Sequence, residues 1–315
     1  MTAEQMRLLP PTEPEKAQAD EAERKPIITL HSALDLFHEH MVAREWSPYT
    51  VRAFDSDLRL LERYLGDTAG VASLRPEQLE AFLEYLRHER GVPCNKKSLA
   101  RRLTTLKVFF AWLCEQGATT GDLAAGLYHE PVSTPLPRIL TDTELAQLEA
   151  ETARQRDDPK APDIRPLLLT RLLLDTGIKK GECMGLTLLD LDVGSPSAAS
   201  ILVRYSSPRQ RHKERRLRVS AGFARAVPVY LQQYAPKQKL FECTARNLEY
   251  VLDSCEKRAG LPVRSLAFET LRWTFAAKEW QAGTEPELLR VKLGLSQISW
   301  AEVAEKLDKL SAKPL

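Results

Sequence analysis

Arg272 sits one residue off an apolar helical stripe in the segment LAFETLRWTFAA, residues 266–277. Phe268, Leu271 and Phe275 recur at i, i+3 and i+7, the spacing of a helix face that enters a core. A guanidinium on the rim of such a face raises the question of its partner, since its planar fork matches two oxygens at once. Glu269, three residues earlier, is spaced to pair with it along the helix.

Other cations cluster in two places. From Arg209 to Arg218, in RQRHKERRLR, six residues are Arg or Lys and only Glu214 opposes them. Arg204, Lys179 and Lys180 add to the same half of the chain. Lys96, Lys97, Arg101, Arg102 and Lys107 form a second set on a segment that also carries an apolar stripe. Both sets fit a phosphate-backbone footprint, and both also suit solvated surface. The formal net charge over 315 residues is only +2, so local rather than global charge points to partners.

Other chemistries find little support. The five cysteines, at 94, 114, 183, 243 and 255, show no CxxC and no Cys/His ligand spacing. That pattern implies a reducing compartment without structural disulfide or zinc. No metal and no cofactor are expected. The sequence lacks a long apolar run and a signal-peptide core, so a cytoplasmic protein is expected, nucleoid-associated if DNA-bound. The last tyrosine is Tyr250 and the last histidine His212, so residues 251–315 contain neither. Ser296 or Ser299 could attack a phosphate only with an activating base.

The elements that must position these residues are mainly helices. Residues 1–26 read as a disordered tail rich in Glu, Ala, Pro and Lys. Residues 27–127 read as an all-helical domain of four helices, with a fifth short one near 120–127. Ser47-Pro48 is an N-cap followed by proline, and Leu99, Leu103, Leu106, Phe110 and Leu113 form the clearest stripe. Residues 128–140, with three prolines, read as a linker. Thr141-x-x-Glu144 is a capping box that opens a second domain, 141–315. Helices are expected there at about 163–176, 220–234, 244–258, 266–281, 285–293 and 298–310. SILVRYSS and ERRLRVS read as a β-hairpin around a polar turn.

In this order, PLPRILTDTEL, LLLDTGIKKGECMGLTLLDLD, the basic KERR, FETLRWTFAA and LGLSQISWAEVAEKL resemble the tyrosine recombinases, or phage integrases, over residues 28–310. The resemblance implies a mainly α fold. It would pair an N-terminal core-binding, SAM-like domain of four to five helices with a mainly helical mixed α/β domain that carries a small sheet. It also implies double-stranded DNA as partner and metal-free phosphoryl transfer. In that chemistry a tyrosine attacks a DNA phosphate, two arginines hold the phosphate oxygens, and a hairpin lysine protonates the leaving oxygen. Two further residues, usually histidines, assist.

Carried over by position, the first arginine is Lys179 and the hairpin lysine falls near Gln210. The first histidine is Glu269, the second arginine is Arg272, the second histidine is Leu295 and the tyrosine is Ala304. Five of the six positions are substituted. The expectation is therefore a non-enzyme, a pseudoenzyme that binds DNA as an accessory, architectural or regulatory factor in recombination or integration. The expected DNA contacts are Lys96, Lys97, Arg101, Arg102, Lys179, Arg209, Arg211, Lys213, Arg215 and Arg272. Two alternatives stay open. One is a protein-interaction scaffold that has lost DNA binding and docks a partner through Ile298, Trp300, Val303, Leu307 and Leu310; an active recombinase or a second copy is the expected partner of that helix. The other is a recombinase with an unconventional nucleophile. No membrane partner is expected.

Overall fold

The computed structural model describes residues 28–92, 94–128 and 135–311. The expected tail and residues 129–134 of the expected linker lie outside these. The chain divides into two compact units, Met1–Thr134 and Pro135–Leu315.

The first unit holds α1 (Leu30–Ala43), α2 (Pro48–Leu65), α3 (Pro76–Glu84) and α4 (Lys96–Glu115). Each start has a local cause. Thr29 Oγ1, Ser47 Oγ and Asn95 Oδ1 accept from Ser32, Thr50 and Ser98 N–H at 3.2, 3.1 and 2.8 Å, which satisfies otherwise orphaned donors. Phe37, Phe82, Phe109, Phe110 and Leu61 are sealed inside. The Phe37 and Phe109 rings meet edge-on at 5.3 Å. The fifth helix expected near 120–127 does not form. Asp122 Oδ1 takes the Ala124 N–H at 2.9 Å, and this turn replaces helical pairing while Ala124 and Leu127 plug the core.

The first helix of the second unit opens at the expected capping box. Thr141 and Glu144 exchange side-chain-to-backbone bonds of 2.9 and 3.2 Å and open α5 (Asp142–Arg156). It continues through α6 (Arg165–Thr176) and α7 (Lys180–Gly185) to a sheet of β1 (Leu191–Asp192), β2 (Ser200–Val203) and β3 (Arg215–Arg218). Then follow α8 (Ala221–Tyr234), α9 (Ala245–Arg258), α10 (Phe268–Gln281), α11 (Pro286–Lys292) and α12 (Gln297–Ser311). The sheet is antiparallel in the order β1-β2-β3, with Ser200 opposite Arg218 and Val203 opposite Arg215. β1 and α7 are too short to carry a readable period, and the sequence pattern reveals neither.

α10 packs against α6 and α12. The apolar stripe of α12 is largely used inside its own unit. Leu307 and Leu310 are buried, Val303 and Trp300 are half-buried, and Trp300 meets Trp280 at 5.9 Å. Ile298 stays 90% exposed. The docking stripe expected there is thus mostly core, because α10 offers it an apolar partner. Among the described residues, no helix is long and apolar enough to cross a membrane.

Candidate functional site

α10 presents the predicted stripe: Phe268, Leu271 and Phe275 are buried. Glu256 steadies the loop before it by accepting the Arg264 and Leu266 N–H groups at 2.9 and 2.8 Å. Arg272 turns inward and is only 8% exposed. Its guanidinium donates to the carbonyls of Gly177 and, at 2.8 Å, Leu293. Burial pulls its pKa below the usual arginine value, while Glu182 and Glu269 oppose that pull. The direct Glu269–Arg272 pair expected from spacing is not made. Glu269 is exposed and accepts from Trp273 Nε1 at 2.8 Å.

Lys179 caps α7. Its N–H donates to Glu182 Oε2 at 2.8 Å and its Nζ to the Gly294 carbonyl at 3.0 Å. Burial lowers its ammonium pKa; Glu182 counters, and Arg272, Lys213 and Arg215 lower it further. Four cations from four elements therefore share one neighbourhood. The hairpin's contribution is Lys213, not Gln210. A short 3₁₀ turn, Pro208–Lys213, leaves Gln210 exposed and brings half-buried Lys213 to its end.

Arg215 was expected to face DNA and does not. Its side chain is 4% exposed and forks onto Glu182 at 3.1 and 2.9 Å. The alternation of β3 places it on the core face opposite Val203. Tyr205 O–H also donates to Glu182, and burial with that carboxylate pushes the phenol up to about 12. Tyr234 O–H donates to Asp163 at 2.7 Å, and burial raises it likewise, to about 12. Glu182 and Tyr205 are the site residues that motif reading overlooked, and Arg215 was assigned to DNA rather than to this pair. An acid two residues beyond Lys180 was the available signal.

Leu295 and Ala304 are half-buried. Ser296 Oγ bonds Ser299 Oγ at 3.1 Å, so its partner is another hydroxyl rather than a base. In the first unit, Lys96 and Lys97 are exposed as expected. Arg101 and Arg102 are drawn instead to the buried Asp57: Arg101 bonds it through both terminal nitrogens, and Arg102 Nε approaches to 3.4 Å. Arg209 and Arg211 lie exposed on the hairpin turn.

A cleft of 460 Å³ opens over this centre, lined by Lys179, Lys180, Arg246, Glu249, Glu269 and Arg272. Gly177, whose carbonyl holds Arg272, has φ +59° and lies where a Cβ would overlap the Phe275 ring. Gly177→Ala is expected to cost about 3 kcal/mol, the left-handed backbone and the overlap adding together. Urea unfolding checks this, and a loss under 1 kcal/mol would show that the ring yields freely.

Residues 34–117 match the family described as phage integrase, N-terminal SAM-like domain. Tyrosine recombinase XerC of Mycobacterium tuberculosis (strain ATCC 25177 / H37Ra) is 33% identical over 168 residues, 52% of this chain and 55% of that one. XerC of Oceanobacillus iheyensis is 25% identical over 302 residues, 89% and 93% of the two chains. Over most of its length the chain is similar to tyrosine recombinases. The mycobacterial matches thus span about half the length of those relatives. The fold agrees with a lambda integrase dimer bound to a COC' core site, at TM-score 0.69 and 15% identity over 97% of this chain and 83% of that one. It agrees also with XerH bound to difH, at TM-score 0.62 and 15% identity over 89% and 83%. These relatives correct one expectation. The substituted positions suggested a non-enzyme, but the tyrosine recombinases that this chain matches are named as enzymes.

Proposed function

We propose that this tyrosine recombinase family protein binds duplex DNA at a recombination site and works there as one subunit of a strand-exchange assembly, in an accessory or architectural capacity toward its neighbours. Its setting is the cytoplasm, on the nucleoid. The observation that supports this most is the cation centre. Lys179, Arg215 and Arg272 lie near one buried carboxylate, Glu182, with Lys213 close to Lys179, and they leave an excess of positive charge beside an open cleft that Lys179 and Arg272 line. Such an excess in a partly desolvated site is prepared for a phosphate, which takes charge-assisted hydrogen bonds about twice as strong as neutral ones. Lys96, Lys97, Arg209 and Arg211 supply further exposed charge for the backbone.

The test is fluorescence anisotropy with random duplex DNA from low to high salt. Binding should weaken steeply, log K falling by about 0.9 per phosphate neutralised for each decade of salt. An absence of binding at low salt would falsify the proposal. Lys96→Glu with Lys97→Glu should remove about two units of that slope if both lysines contact phosphates.

A further inference from the structure

Three consecutive main-chain carbonyls at the end of α11 each accept from a cation on a different element. Lys292 O takes Arg215 Nε at 2.7 Å, from β3. Leu293 O takes an Arg272 terminal nitrogen at 2.8 Å, from α10. Gly294 O takes Lys179 Nζ at 3.0 Å, from the start of α7. The segment that carries them is tied back to α11 by the N–H groups of Leu293, Gly294 and Leu295, which donate to the carbonyls of Leu289, Val291 and Arg290 at 2.9, 2.9 and 3.1 Å, so the three acceptors move with one corner.

Arg272 has a second main-chain acceptor, the Gly177 carbonyl, whereas Arg215 is held from behind by a buried carboxylate. Its terminal nitrogens hold Glu182 at 3.1 and 2.9 Å, and one also reaches the Lys213 carbonyl at 3.1 Å. Arg215 therefore ties the hairpin end, the α7 cap and the α11 corner together. Gly294 fits against it with no spare room: φ is +59°, and a Cβ there would stand 2.7 Å from an Arg215 terminal nitrogen. Arg272 and Lys179 differ. Arg272 has five donors and Lys179 three, and the main-chain bonds leave donors over for an anion.

We propose that Arg215 is the positioning residue of this centre. It does not touch DNA; it fixes the α11 corner whose next two carbonyls aim Arg272 and Lys179. The proposal rests on the reading that a DNA phosphate enters here.

The experiment compares the full chain with Arg215→Lys and Gly294→Ala. Both variants conserve charge, so a change in salt slope reports geometry rather than a weaker field. Anisotropy on one random duplex gives affinity and slope, thermal unfolding confirms a cooperative fold, and pulse acylation with mass spectrometry reads Lys179 reactivity. In both folded variants the slope should fall by about one to two units, one for each phosphate no longer held. Affinity should fall about tenfold, and Lys179 should acylate severalfold faster as Nζ leaves Gly294. A folded variant with wild-type slope and wild-type Lys179 reactivity overturns the proposal while the DNA reading stands. A wild-type chain that binds no DNA overturns both. If neither variant folds, the wild type decides: Lys179 must acylate more slowly than exposed Lys180, and equal rates overturn the proposal.

Discussion

Glu182→Gln is expected to destabilise the second unit by about 3–5 kcal/mol at neutral pH, the cost of leaving a buried guanidinium without its counter-charge. Both side chains are nearly sealed, at 4% and 3% exposure for Arg215 and Glu182, so water cannot stand in for the missing carboxylate. The native chain also carries a pH signature. Burial pushes the Glu182 carboxyl up, but bonds and charge from Arg215, then Tyr205 and the Lys179 N–H, outweigh it and hold the group below the ordinary value of 4.5. The unfolded chain thus takes up a proton at a higher pH than the folded one. Between those two values it binds more protons, so stability is complete above 4.5 and falls as pH drops through the folded pKa. Urea unfolding at pH 7 and pH 4 should show this acid limb in the wild type and a flatter one in Glu182→Gln. A variant within 1 kcal/mol of wild type at pH 7 would mean that Arg215 finds solvent when its partner is neutral.

Reversing Arg211 and Lys213 together to Glu should weaken duplex binding by about a hundredfold and flatten the salt slope by about two units, uniformly across sequences. Both residues lie on the hairpin turn, Arg211 exposed and Lys213 half-buried, so the melting temperature should move by only a few degrees. Arg215 is left out of this pair because its reversal would bury a repulsive contact with Glu182 and confuse unfolding with weaker binding. Unchanged affinity in the folded double variant would take the hairpin out of the interface.

The helices were legible where periodicity was long. The stripe of Phe268, Leu271 and Phe275 and the capping box at Thr141 are where the sequence puts them. The direction of Arg272 was not legible, because its acceptors are main-chain carbonyls of Gly177 and Leu293, distant in sequence and carrying no residue-type signal. The hairpin register failed for a related reason. A 3₁₀ turn over Pro208–Lys213 advances the chain differently from a simple loop, which moves the centre's lysine from the place of Gln210 to Lys213. Arg102 and Arg215 looked like surface charge, and Arg101, which is exposed, looked unpaired, because a count of cations does not reveal buried acids such as Asp57 and Glu182. The expectation of a non-enzyme had the same origin: it compared side chains one position at a time, whereas the similarity to named recombinases runs along most of the chain.

The run of carbonyls at 292–294 has a consequence for how this site tolerates genetic change. Acceptors supplied by the backbone are present whatever side chain the position encodes. Residue 292 can drift among many amino acids and still offer its oxygen to Arg215, forfeiting only the bond from Lys292 to Glu279. Position 294 has no such latitude, since any side chain collides with the guanidinium. In a saturation library selected for DNA binding, the corner should show a permissive site two residues from an invariant glycine, a pattern that side-chain chemistry alone would not explain.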